Sequence, residues 1–195
     1  MNKLLWLLII VLLLMSSACD VNIERSPDPG ILEVVLQADP TDTSIVILGK
    51  TYTVDTSSVF NVHVFEAKAY IDSFYTFLVP DLDQFHDPGN TYNILSRKEG
   101  TYEKFTIYRS YVPPETFTHL EFGLTPGVMK IADFQIPVEL PPDSSVLVQL
   151  NHRFTVKENQ TTQILIQLEP FRSVVRYRDS YLFRRKLRIV NIRQY

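Results

Sequence analysis

Cysteine is almost missing from this chain: Cys19 is the only one in 195 residues, so no internal disulfide can staple the fold. Tryptophan is as scarce, with Trp6 alone, and the aromatic load rests on 12 Phe and 10 Tyr, which favour pleated, half-buried surfaces. Histidine is thin and scattered. His63, His86, His119 and His152 lie in separate segments, with no pair at the spacing of a zinc helix or knuckle. No serine sits in a Gly-x-Ser-x-Gly elbow. Gly49-Lys50-Thr51 imitates the end of a phosphate-binding loop, but Ser44 stands where that loop needs its first glycine, and Ile45-Val46-Ile47-Leu48 reads as a strand. Positive charge is also in deficit, a net of −3, which argues against nucleic acid as a general partner. Beyond Ile31 the 3.6-residue apolar period of an amphipathic helix is absent as well.

What is present begins at the first residue. Lys3 supplies a positive n-region, Leu4 to Met15 are an unbroken apolar run, and Ser16-Ser17-Ala18 are small residues ending at Cys19. Twelve apolar residues are too few for a resident helix across a bilayer, which needs about 20. Residues 1–18 therefore read as an export signal that is removed. The placement of Cys19 resembles the acylated thiol of a bacterial lipoprotein, although Ser16 stands where such signals usually carry leucine. That resemblance implies palmitate on Cys19 and a membrane partner at the bacterial cell envelope, facing the periplasm or the surface. Ordinary cleavage after Ala18, leaving a free thiol, is the other reading.

Residues 19–30 carry the lipidated Cys19 and a polar, proline-containing tether, and residues 31–195 read as a single domain. The chain left after residue 18 has 177 residues, enough to bury roughly 70% of its unfolded surface. Short alternating runs predict strands at 31–37, 44–48, 60–71, 74–79, 92–96, 104–112, 118–124, 128–136, 171–177 and 181–190. The stretch 145–169 reads as a β-hairpin, with His152 on its apolar register. One wet face per strand predicts antiparallel pairing, and Pro113-Pro114 and Pro141-Pro142 mark corners between sheets. The expected class is all-β, a two-sheet antiparallel sandwich.

With the strands placed, the order ILEVVLQADPTD, VFNVHVFEAKAYI, TYNILSRKEG, VPPETFTHLEFGL and the long segment from Ile136 to Ile189 resembles the family of bacterial lipoprotein domains catalogued as domain of unknown function 4382. Glu115 replaces a turn glycine of that family, and LFRRKLRI lacks the proline expected in the last strand. The resemblance implies an immunoglobulin-like or transthyretin-like envelope sandwich and transfers no catalytic residue.

Candidate sites are few. Asp81, Asp83 and Asp87 gather hard oxygen ligands suited to Ca²⁺, or form a plain solvated loop; no cofactor is expected. Tyr108, Arg109 and Tyr111, with Arg176, Tyr177, Arg178 and Tyr181, are the densest mixtures of planar and cationic groups, suited to a sugar or peptide. Residues 172–195 hold eight basic side chains against Asp179 alone. There, alternation predicts Arg184, Lys186 and Arg188 on a solvated face and Arg185 on the opposite, partly buried one, the exposed set either completing a strand or docking an anionic envelope partner. Three functional classes stay open: a non-enzymatic binding or assembly module, with an envelope protein or glycan as partner; an envelope hydrolase with residues in loops 81–90 and 109–116; and a structural subunit joined by strand addition.

Overall fold

The structure is a computed structural model and describes residues 26–80 and 90–195. The expected class holds: the described residues form strands and no helix, arranged as sheets packed on a common apolar core. Strands are numbered β1 to β18 along the chain. A four-stranded sheet has the order β18 (Leu187–Gln194), β15 (Thr161–Leu168), β1 (Gly30–Ala38) and β9 (Lys104–Val112). The larger sheet runs β16 (Val174–Tyr177), β17 (Ser180–Phe183), β12 (Phe134–Glu139), β11 (His119–Ile131), β4 (Val59–Ile71) and β5 (Phe74–Leu78). Two further strands lie on it, β13 (Leu147–Leu150) against β11 and β6 (Asn90–Asn93) against β4. Alternation fills the space between the sheets: Leu32, Val34 and Leu36 of β1 meet the same cluster as Phe60, Val62 and Val64 of β4.

The two sheets are stitched at one side, where Ser110 Oγ accepts from the Val79 amide at 2.6 Å and Arg109 N donates to the Val79 carbonyl at 3.2 Å. Strand edges elsewhere close through tight turns. Leu48 and Gly49 both have positive φ, 51° and 77°, in the two-residue loop between β2 (Ser44–Ile47) and β3 (Lys50–Thr53), so the glycine of the Gly-Lys-Thr triplet serves a hairpin of the primed type. On the outer side of the large sheet a Cβ at Gly123 would fall 2.4 Å from the Phe65 ring, which lies across the glycine and covers its bare backbone.

Four sequence expectations are corrected. Pairing is mixed: β1 with β15, and β12 with β17, are parallel. The 145–169 hairpin does not form, because β13 joins β11, β14 (Phe154–Thr155) pairs with β10 (Thr116–Phe117), and β15 lies in the other sheet. The apolar period survived this crossing, since Phe154 and Val156 still point into the core, whereas His152 sits at the exposed break Asn151–Arg153 and is no core histidine. Residues 128–136 are two strands, turned at Ala132 with φ 48°. Finally, 181–190 is not one strand: residues 184–186 leave β17, Arg185 takes φ 43°, and the chain changes sheets to enter β18.

Candidate functional site

The outer face of the four-stranded sheet carries most of the chemistry. On β1 the odd residues face away from the core, and pairing aligns Arg109, Glu33, Gln163 and Arg193 in one row and Thr106, Val35, Leu165 and Asn191 in the next. Glu33 is only 8% exposed although it lies on this outer face. Its carboxylate accepts from Tyr195 OH at 2.9 Å, Thr106 Oγ1 at 3.2 Å and Gln163 Nε2 at 3.3 Å. Three neutral donors thus satisfy the charge. Held by Glu33 and burial, the Tyr195 hydroxyl resists ionisation more than an ordinary phenol.

One end of the same sheet is clamped by the turn after β1. Arg188 Nη2 donates to Asp39 Oδ2 at 2.6 Å and also to Gln167 Oε1 at 3.2 Å. Burial pushes the Asp39 carboxyl up, but the Thr41 amide and hydroxyl, then the charges of Arg188 and Arg172, outweigh it and hold the group below the usual carboxylate range. Three residues on, Asp42 Oδ2 accepts the amides of Phe171 at 2.8 Å and Arg172 at 3.0 Å. Here burial wins over those bonds and over Arg172, and the pKa is raised.

These opposite shifts give opposite pH signs. Asp39, bound more tightly as carboxylate, contributes stability that is complete above its unfolded pKa of about 3.9 and is lost as pH falls through its folded value. Asp42 contributes in its protonated form, below the unfolded pKa, and that contribution is lost as pH rises through the folded value. Asp39→Asn is therefore expected to destabilise at neutral pH and to converge on the parent chain toward pH 2, as read by urea unfolding at several pH values. Parallel stability curves for the two chains would refute the role given to Asp39.

The sequence candidates are partly brought together. Arg109, Tyr111 and Arg188 stand on the outer face just described, with Tyr111 75% exposed. Tyr108 does not join them. A register shift opposite Val34 and Val35 turns Ile107 and Tyr108 both inward, so Tyr108 is 2% exposed, a core residue whose burial drives its hydroxyl pKa far up. Arg184 and Lys186 are exposed and Arg185 half-buried, in the expected order, but on the link between sheets rather than on a strand. Arg176, Tyr177, Arg178 and Tyr181 belong to the β16–β17 hairpin, where Arg178 lies 5.3 Å from the Tyr177 ring. Ser110, within the loop set suggested for a hydrolase, spends its hydroxyl on the Val79 backbone. Cys19, Asp81, Asp83 and Asp87 lie outside the described residues. Among the described residues no three His, Cys, Asp or Glu gather as metal ligands.

A second feature went unread in the sequence. The outer face of the large sheet bears an aromatic ridge: His119 stacks on Tyr70 at 4.3 Å, Tyr70 meets Tyr75 at 5.4 Å, and Tyr75 meets Phe77 edge-on at 5.1 Å. Lys68 lies 5.2 Å from Tyr75 and 5.4 Å from Phe77, with its ammonium 2.6 Å from Glu66. Phe74 and Phe77 of the terminal strand β5 are 77% and 59% exposed. Cross-strand register makes this ridge, and register is invisible until β4, β5 and β11 are paired.

Compared with known proteins, the chain matches no protein-family model, no curated protein and no solved structure.

Proposed function

We propose that this chain is a membrane-anchored lipoprotein of the bacterial cell envelope that displays a non-enzymatic β-sandwich as a binding or assembly module. The likeness to the domain of unknown function 4382 family belongs to the same proposal. The observation that carries it is the apolar run from Leu4 to Met15 and the small residues Ser16-Ser17-Ala18 that end at Cys19, and the junction between tether and domain suits it. The Asp28 amide donates to Glu158 Oε1 at 2.9 Å, Asn159 Nδ2 donates to Asp28 Oδ2 at 3.2 Å, and β1 starts two residues later. A Cβ at Gly30 would lie 2.4 Å from the Lys157 carbonyl, so the entry is close-fitted. From Asp28 back to Cys19 the chain can extend no more than about 30 Å. A lipid on Cys19 would hold the sandwich close to the membrane, with the end that carries Gly30, Tyr111 and Tyr195 nearest the tether.

The expected result is incorporation of labelled palmitate and partition into membranes by the intact chain, both lost in Cys19→Ser. Acylation of the substituted chain, or a wholly soluble parent, would sink the reading. A specific observation favours the structural-subunit form of this module: the terminal strand β5 presents Phe74 and Phe77 to solvent, the kind of apolar edge that strand addition uses.

A further inference from the structure

We propose that the outer face of the four-stranded sheet binds an acidic sugar residue, its carboxylate held between Lys104 and Arg193 and its hydroxyls received by Thr106 and Gln163. The place is a depression of about 140 Å³ that these four residues line together with Val35, Leu165 and Asn191. That volume is well below the roughly 300–1,000 Å³ of a drug-sized pocket, so one small unit fits and the remainder of a glycan runs off across the open face.

The chemistry of the lining selects the ligand. Lys104 and Arg193 are exposed cations on the two edge strands, and neither forms an ion pair among the described residues. Set against the one carboxylate beneath the depression, that of Glu33, the two cations leave a net positive charge there, which calls for an anion. Between them stand neutral groups whose directions are already set. Glu33 takes the hydroxyl proton of Thr106 and an amide proton of Gln163, which leaves Oγ1 of Thr106 and Oε1 of Gln163 as acceptors. An acceptor needs a donor from the ligand. A bare carboxylate or sulfate brings none, whereas a sugar acid brings several hydroxyls alongside its charge. Asn191 offers a further amide, and the side chains of Val35 and Leu165 give an apolar floor for the C–H face of a ring. Glu33 itself is nearly buried and saturated by three donors, so in this reading it is a positioning residue that aims Thr106 and Gln163.

The inference rests on the reading of this domain as a binding module and is independent of the anchor. Titration calorimetry of the intact chain in detergent at low salt, with trigalacturonate as probe, is expected to show saturable binding that weakens as salt screens the two cations. Galactotriose, the neutral counterpart, should bind at least tenfold more weakly. Lys104→Gln with Arg193→Gln should lose a factor of ten or more, each lost charge-assisted bond being worth about that factor, at an unchanged melting temperature. Thr106→Val should weaken trigalacturonate while leaving the weak response to acetate as it was. Cys19→Ser should bind like the parent, so failure of the palmitate experiment and failure of this one are separate events. No binding of trigalacturonate, equal binding of galactotriose, equal binding of inorganic phosphate, or full affinity in the double variant each overturns the proposal.

Discussion

Truncating Phe60 to alanine should lower the unfolding free energy by about 3–5 kcal/mol, the range for a fully buried phenylalanine whose cavity cannot collapse. Phe60 is 0% exposed on β4 and meets the ring of Phe183, also 0% exposed, edge to face at a centroid distance of 5.4 Å. The pair ties β4, one strand in from one end of the large sheet, to β17, one strand in from the other. Surrounding strands are hydrogen-bonded on both sides of β4, so the backbone has little room to close over the lost ring. Set against a typical total of about 5–15 kcal/mol, such a loss leaves the domain marginal. Urea unfolding gives the number, and Phe183→Ala should add less than its full value in the double variant because the two rings share one contact. A loss below about 1 kcal/mol for Phe60→Ala would mean that the core is looser than its burial implies.

Asp42→Ala is expected to be the second large effect, about 2–4 kcal/mol, while Asp42→Asn should stay within about 1 kcal/mol of the parent. The carboxylate is 4% exposed, and a single oxygen, Oδ2, takes two amides that head the turn after β15. Alanine leaves both amides without an acceptor in a buried place, and that desolvation dominates. Asparagine keeps an acceptor oxygen there and removes a charge that burial disfavours, as the raised pKa of Asp42 records. The ion pair with Arg172, 3.8 Å away with its side chain 52% exposed, is too solvated to decide the outcome. Equal losses for the two variants, measured by urea unfolding at neutral pH, would show that the charge matters and the amides do not.

Strand class was legible because two-residue alternation is written locally: Leu32, Val34 and Leu36, or Ile164, Ile166 and Leu168, announce a buried face without any partner. Pairing was not. The pattern through 145–169 suits a hairpin and suits a crossing between sheets equally well, since each keeps every second residue inward. Tyr108 was misplaced for a related reason: one bulge in β9 inverts the face of all that follows, and nothing in KFTIYRSYV marks it. The site was legible only at its rim, in the exposed Arg109, Tyr111 and Arg188. Its centre is Glu33, a lone acid within ILEVVLQ, and the three donors that explain it come from 73, 130 and 162 residues away.

The central place of β1 also dictates when this protein can fold. Its neighbours are β9 and, in parallel, β15, with Ile31 opposite Tyr111 on one side and Thr161 on the other. Such a strand emerges first and gains its second neighbour only late. The local hairpins β4–β5 and β11–β12 can close as they leave the ribosome, but the four-stranded sheet must wait for Leu168 and then for β18. Until then GILEVVLQA is apolar on one face and half so on the other, and its loop-closure entropy is unrecovered. Non-local pairing of this kind belongs to the slow end of single-domain folding, about milliseconds to seconds. The newly made chain therefore spends that interval with the β15 side of its first strand unpaired, open to a holding chaperone or to another copy of itself.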